Sequence, residues 1–284
     1  MKRILVPTDF SDCANNAVDF AVQSAKIFPA EVTLVHSFEL AGNTYTDYTG
    51  VNREFNQTLL LEANHEFSRV KSVIKETENI IVESYVSTTS LNESILSLTN
   101  EKEIDFIVMG TSGASGLKEK LWGSKTAAVI GKSNVPVLAI PIDYKWKKPY
   151  RILLSTNHFE KEPALVDFLF ELASLYKAEV QVAVFTDEES AIALTYLEHA
   201  RRIPGYEKEL REKYKNESIV VTHLYGKDFE SALQNHLLQN EIDMLTMVTY
   251  QRKFPDNLFH PSLTKKIAYH TKIPLLAIPA KKAE

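Results

Sequence analysis

Residues 110–124 hold the one arrangement in this chain whose residue types and spacing suit a definite chemistry. Gly110-Thr111-Ser112-Gly113 is followed, after nine intervening residues, by Gly123-Ser124. Five of the nine glycines of the chain fall between Gly110 and Gly131, a local concentration that overall composition does not explain. An apolar run over 104–109 leads in, and a helical pattern over 125–132 leads out. A strand that ends in glycines and then opens a helix offers bare backbone N–H groups and a positive helix end to an anion. The chemistry this predicts is the holding of nucleotide phosphates, with Gly110, Gly113, Gly123 and Ser124 as the contacts. A tight turn of glycines and a serine that only caps its helix form the plainer alternative.

Asp9 is the best-placed carboxylate, closing the first apolar run, Ile4-Leu5-Val6-Pro7-Thr8. In an open parallel sheet, ligands bind at the carboxyl ends of the strands, where the strand order reverses. If the first and fourth strands are neighbours, Asp9 meets the glycines at one crevice and can take a ribose hydroxyl or a metal ion. Capping of the next helix or its turn is the alternative role for Asp9. Cys13, just beyond, is predicted to be a buried, inert thiol rather than a reactive one. Tyr45, Tyr48 and Phe55 either line a lid over a nucleotide or pack a long loop onto the sheet.

Other motifs fail on their spacing. Gly123-Ser124-Lys125-Thr126 has serine where a P-loop needs lysine, and Gly110, Gly113 and Gly116 lack the spacing of a dinucleotide fingerprint. The eight histidines include no zinc-type pair, and no Gly-x-Ser-x-Gly elbow occurs.

The elements that must position these residues alternate. Strands are predicted at 4–9, 31–37, 80–86, 104–109 and 135–141, with helices at 14–27, 55–74, 91–100 and 125–132. Continuous apolar strands alternating with helices predict a parallel sheet covered on both faces. A polar stretch over 145–149, ending in proline, reads as a linker.

Beyond it the pattern repeats. Residues 2–37 lie over 150–185 without a gap, with 11 of 36 positions identical, and 103–141 lie over 241–279 with 12 of 39 identical. Self-similarity at both ends of each half predicts a duplicated domain, with boundaries at 1–145 and 148–284. The fold expected is therefore α/β, as two tandem five-stranded parallel-sheet domains, Rossmann-like.

Bulk properties fit an ordinary globular chain, at 44% apolar and 24% charged residues. A formal charge of −5 argues against nucleic acid as the main partner. No apolar run has membrane-spanning length, and Met1-Lys2-Arg3 leads straight into a strand without a signal-peptide layout. With Cys13 as the single cysteine, a reducing, cytoplasmic location is expected.

Together these residues resemble the universal stress protein family in its tandem two-domain form. The motif Gly-x2-Gly-x9-Gly-Ser/Thr is met in full by Gly110, Gly113, Gly123 and Ser124. The opening Ile4-Leu5-Val6-Pro7-Thr8-Asp9-Phe10-Ser11 and the closing Ser133-Asn134-Val135-Pro136-Val137-Leu138-Ala139-Ile140-Pro141 are similar to the family as well. The resemblance implies strand order 3-2-1-4-5 in each half and a site for ATP, or AMP or ADP in its place. The glycine motif would hold the phosphates, Asp9 the ribose or a Mg²⁺ ion, and the backbone at His36-Ser37 the adenine. Ser87 departs from the pattern, since many members have glycine after the third strand. The resemblance further implies that the two halves pack as an intramolecular pseudo-dimer through the fifth strands, Val137 to Ile140 and Leu275 to Ile278. A homodimer is a further form it allows.

The second half departs more sharply. Val248, Gln251 and Pro261 stand where Gly110, Gly113 and Gly123 stand, Asn157 replaces Asp9, and Ser262 alone matches Ser124. Proline contributes no N–H, and side chains at 248 and 251 would fill the phosphate space. Arg252 and Lys253 leave room for an unrelated anion, and Gly226 keeps the family glycine. One working nucleotide site is therefore expected, in the first half. The function expected is that of an ATP-binding, nucleotide-responsive regulatory protein of the stress response, acting on a protein partner that the sequence does not name. A slow ATPase or phosphoryl-transfer enzyme is one alternative, although, apart from Lys118, Lys120 and Lys125 near the motif, no lysine, arginine finger or water-orienting glutamine is placed for fast turnover. A nucleotide-independent dimerisation module is the other.

Overall fold

A computed structural model of the protein describes residues 1–40, 51–111, 124–156, 159, 163–188, 193–216, 218–250 and 272–280. It divides into two compact units, Met1–Trp146 and Lys147–Glu284.

In the first unit the elements are β1 (Lys2–Pro7), α1 (Asp12–Ile27), β2 (Ala30–Ser37), α2 (Val51–Glu78), β3 (Val82–Ser87), α3 (Leu91–Glu101), β4 (Phe106–Gly110), α4 (Ser124–Lys132) and β5 (Val137–Ile140). Ile4, Leu5, Phe106, Ile107 and Val108 are fully buried, as a strand covered on both faces requires. All pairings are parallel, in the order β3-β2-β1-β4-β5. Because β1 lies between β2 and β4, the crossover direction reverses beside it. That is the switch point expected of the order 3-2-1-4-5. Helix α1 starts where Ser11 caps it, accepting from the Ala14 N–H, and buries Ala17, Phe20, Ala21 and Ser24 along one stripe. Helix α3 starts in a reciprocal capping box between Ser90 and Glu93.

The apolar run at 104–109 was expected to be strand throughout, but β4 begins at Phe106. The Ile104 N–H bonds back to Thr99 O and the Asp105 N–H to Arg3 O, so these two residues close α3 and tie it to β1. The stretch at 145–149 is also more than polar spacer. The Trp146 ring meets Phe20 of α1 edge-on at 4.8 Å, and Lys147 of the second unit reaches Asp243 at 2.6 Å.

The second unit contains β6 (Arg151–Thr156), α5 (Pro163–Tyr176), β7 (Glu179–Asp187), α6 (Ala193–Tyr214), β8 (Val220–Gly226), α7 (Phe229–Gln239), β9 (Met244–Tyr250) and β10 (Leu275–Ala280). Its pairings repeat those of the first, in the order β8-β7-β6-β9-β10. Small details are copied too. Glu103 and Glu241 both adopt φ 49°, and each accepts from the arginine that opens its unit, Arg3 or Arg151.

One substitution between the copies carries a stability consequence. In α3 the C-cap N–H of Lys102 bonds Leu98 O; in α7 that of Asn240 bonds His236 O. His236 thus stands where the first unit has a leucine. The Asn240 amide donates to His236 Nδ1 at 3.2 Å, which leaves the ring proton on Nε2, and Nε2 has no partner among the described residues. Burial holds the His236 pKa below the ordinary histidine value, and burial followed by the neighbouring His199 does the same to His223. The unfolded chain then binds protons that the folded one refuses, so stability is lost as pH falls below about 6.5. His236→Leu is expected to stabilise the second unit by about 1 kcal/mol, by removing the unmade hydrogen bond. It should also flatten the fall in urea midpoint between pH 7 and pH 5; an unchanged slope would contradict the assignment.

Candidate functional site

The carboxyl end of β1 is a tightly bonded turn. The Thr8 N–H donates to Val35 O at 2.8 Å, continuing the pairing with β2 by one residue. Thr8 Oγ1 accepts from the Phe10 N–H at 3.0 Å, and Asp9 Oδ1 accepts from the Ser11 N–H at 3.2 Å and from Ser11 Oγ at 2.5 Å. Asp9 therefore orders the cap of α1 while Ser11 is the cap, which separates the two roles open to Asp9 in the sequence. The carboxylate remains half-exposed at the crevice.

Phe10 makes this turn with φ 61°, a left-handed conformation that costs a non-glycine residue about 1 kcal/mol or more. Its ring packs edge-on against Phe67 of α2 at 5.2 Å and lies 4.9 Å from the His36 ring. Burial of these aromatic faces offsets the backbone cost.

On the other side of the crevice, β4 ends at Gly110 and Thr111. Three elements hold this corner. Thr126 of α4 donates its hydroxyl to Gly110 O at 2.8 Å, and the Thr111 N–H donates to Ile140 O of β5 at 2.9 Å. From α1, Cys13 presses so close that a Cβ on Gly110 would lie 2.7 Å from Cys13 O and 2.8 Å from its Sγ. Gly110 thus has a steric reason to be bare that is independent of any ligand, and the fold of this unit needs it. The Cys13 thiol is buried, as expected, and lies 3.8 Å from Ile140 O and 4.0 Å from the Thr111 hydroxyl.

Ser124 opens α4 and is exposed, as is Lys125. Gly113 and Gly123 lie outside the described residues, as do Tyr45 and Tyr48; Phe55 is described and is 52% exposed. The placement of Gly110, Thr111 and Ser124 puts a strand end and a helix N-terminus on the same crevice as Asp9, a combination suited to an anion.

The ends of β2 and β3 complete this edge of the sheet. Ser37 pairs with Ser87, and the Phe38 N–H donates to Ser87 O at 3.1 Å. Ser87, in the position where glycine was the expectation, shares its hydroxyl with Thr89 at 3.1 Å and accepts from Ser94 Oγ at 2.7 Å. A glycine there would forgo both bonds. The sequence reading missed the His36 side chain. His36 Nδ1 meets Thr8 O at 2.8 Å, joining β2 to the carbonyl that immediately precedes Asp9. Such a bond depends on β1 and β2 being neighbours, and no local spacing announces it.

For a metal, the described residues hold no group of three or more His, Cys, Asp or Glu side chains close enough to bind one. Mg²⁺ commonly takes one or two carboxylates and completes its octahedron with phosphate oxygens and water. Asp9 fits as such a single carboxylate.

In the second unit, Val248 occupies in β9 the register that Gly110 has in β4: Val248 faces Ile278, and Gly110 faces Ile140. Asn157, Gln251, Arg252, Lys253, Pro261 and Ser262 lie outside the described residues. Phe159, one place beyond the residue that matches Phe10, meets Tyr206 edge-on at 5.3 Å and His199 at 5.4 Å, both on α6.

Among the described residues no helix is long and apolar enough to cross a membrane. The model of the universal stress protein family matches residues 1–141. Two universal stress proteins of Methanocaldococcus jannaschii are each 31% identical to this chain, over 139 and 152 residues. Each alignment spans 49% of this chain, and 81% and 94% of the respective relative. The crystal structure of a universal stress protein from Archaeoglobus fulgidus superposes over 98% of both chains with a TM-score of 0.75 at 15% identity, a likeness of fold along the whole length. With the strand order, the duplicated units and these relatives in agreement, the chain belongs to the universal stress protein family.

Proposed function

We propose that the first unit, with its domain at 1–145, binds an adenine nucleotide, ATP foremost with AMP or ADP as other occupants. The backbone N–H groups of Gly110, Gly113 and Gly123 and the Ser124 hydroxyl hold its phosphates. Asp9 takes the ribose or a phosphate-bound Mg²⁺ ion, and the backbone at His36 and Ser37 meets the base. The domain at 148–284 keeps the fold and has lost the site. Nucleotide occupancy makes the protein a switch for a protein partner in the cytoplasm during the stress response.

The observation that carries this reading is the adjacency of β1 and β4, which sets Asp9 opposite Gly110 and Thr111 at the switch crevice. Calorimetry with ATP and Mg²⁺ tests it on the wild type and on Gly113→Val. The wild type is expected to bind and the variant to lose at least tenfold in affinity, since a side chain there displaces phosphate from backbone N–H groups. Equal heats in both would overturn the assignment. Gly113 is the better probe than Gly110, whose substitution disturbs the fold as well.

A further inference from the structure

Resting on the nucleotide reading of the first unit, we propose that His36 is a specificity-determining residue. Its Nε2 accepts a hydrogen bond from the 6-amino group of the base and so selects amino-purine over keto-purine nucleotides.

The tautomer follows from the partner. A carbonyl oxygen can only accept, so the 2.8 Å contact with Thr8 O places the ring proton on Nδ1. The neutral ring then presents a bare lone pair at Nε2, which has no hydrogen-bond partner among the described residues. Phe10 lies 4.9 Å away and Phe38 6.3 Å, so the imidazole is held in place by aromatic neighbours that offer no donor. The ring is half-exposed at the end of β2, one residue before Ser37. A fixed acceptor beside the base matches the N–H of a 6-amino group. Against a 6-oxo group it sets two lone pairs face to face, and the loss of such a bond is what gives polar pockets their discrimination.

The second unit supplies an internal comparison. Pro7 faces Val35 in the first unit and Ser155 faces Ala183 in the second, so Val184 holds the place of His36. That unit builds the same strand pair with a valine there. The fold therefore does not call for the imidazole, which occurs only in the unit that keeps the phosphate motif.

The test compares ATP with inosine triphosphate, which differs at the 6-position and its adjoining ring nitrogen, by calorimetry at pH 8, with inorganic tripolyphosphate as the base-free probe. Wild type is expected to prefer ATP about tenfold, the order of one hydrogen bond. In His36→Phe the preference should fall to about one while tripolyphosphate binding is unchanged. His36→Asn keeps a donor for Thr8 O and lacks the far acceptor, and it should lose the preference as well. Retained preference in His36→Asn would mean that clamping the turn is what matters, and would overturn the proposal. So would wild type that binds ATP and inosine triphosphate equally, with the nucleotide site itself intact. Wild type that binds none of the three probes would sink the site reading and this proposal together.

Discussion

Gly110→Ala is expected to destabilise the first unit by about 3 kcal/mol, near the upper end for forcing one methyl group into a packed site. The added Cβ would come within 2.7 Å of Cys13 O, 2.8 Å of Sγ and 2.9 Å of the carbonyl carbon. Two of those atoms are main chain in the first turn of α1, and no rotamer change removes them. The backbone stiffening that alanine normally brings, about 0.5–1 kcal/mol, is too small to compensate. Both tryptophans, Trp122 and Trp146, fall within the first unit, so the urea midpoint by tryptophan emission reads it selectively. Cys13→Ala in the same chain should rescue only part of the loss, because it removes Sγ and leaves the carbonyl. Gly131→Ala is the control: nothing lies within 4 Å of its Cβ position inside α4, and it should stabilise by about 0.5–1 kcal/mol. A Gly110→Ala protein as stable as wild type would show that α1 can move aside.

That contact marks where the sequence stops being readable. The alternation of apolar runs and helical patterns made the sheet order and the duplication legible, because each strand buried on both faces must be apolar throughout. Gly110 stood out through the glycine spacing, and its meeting with Asp9 at one crevice was legible through the topology. Their local reasons were not. Gly110 is bare because Cys13, far off in the chain, crosses over it, and Asp9 binds the Ser11 cap that the Asp-x-Ser spacing hints at only weakly. His36 was placed next to the base for its backbone, while its imidazole reaches across to Thr8 O. Ile104 looked like strand because it is apolar and buried, but its N–H closes α3. For Gly110 and His36 a contact from far along the chain decided what the residue does, and for Asp9 and Ile104 a local bond did.

The duplication also separates what the fold requires from what one unit alone has acquired. In both units the arginine that opens the unit meets a glutamate from the turn before the fourth strand, and the aspartate two residues beyond that glutamate accepts from the arginine N–H. These devices belong to the scaffold. The His36 bridge and the bare residue at 110 occur only in the first unit, where valines stand at the matching positions of the second. The common features belong to the scaffold, whereas a difference between the copies points to chemistry only where packing does not already explain it, as Cys13 explains the bare residue at 110.

The strongest shared feature predicts the second large effect. Asp243, just before β9, is only 8% exposed and accepts from three donors: Lys147 Nζ at 2.6 Å and the Tyr150 and Arg151 N–H groups at 2.8 and 3.0 Å. It fastens the start of β6 as Asp105 fastens β1, where the Arg3 N–H donates at 2.7 Å and Lys2 at 3.3 Å, but Asp105 is 32% exposed. Asp243→Ala is expected to cost about 3 kcal/mol, mostly from two main-chain N–H groups losing a charged acceptor. The Lys147 contact adds under about 1 kcal/mol, because an ammonium that is 64% exposed returns readily to water. Asp105→Ala should cost roughly half as much as Asp243→Ala by the same reasoning. Burial by itself would raise the Asp243 pKa, but the hydrogen bonds from Lys147, Tyr150 and Arg151 outweigh it and hold the group below the ordinary aspartate value. A depressed folded pKa contributes stability that is fully present above the unfolded value and disappears as pH falls through the folded one. The advantage of wild type over Asp243→Asn, read as the urea midpoint by far-ultraviolet circular dichroism, should therefore hold from pH 7 to pH 5 and shrink below about pH 4. An advantage that persisted undiminished at pH 3 would mean the carboxylate charge contributes nothing, and equal losses at positions 105 and 243 would mean burial of the clasp does not set its strength.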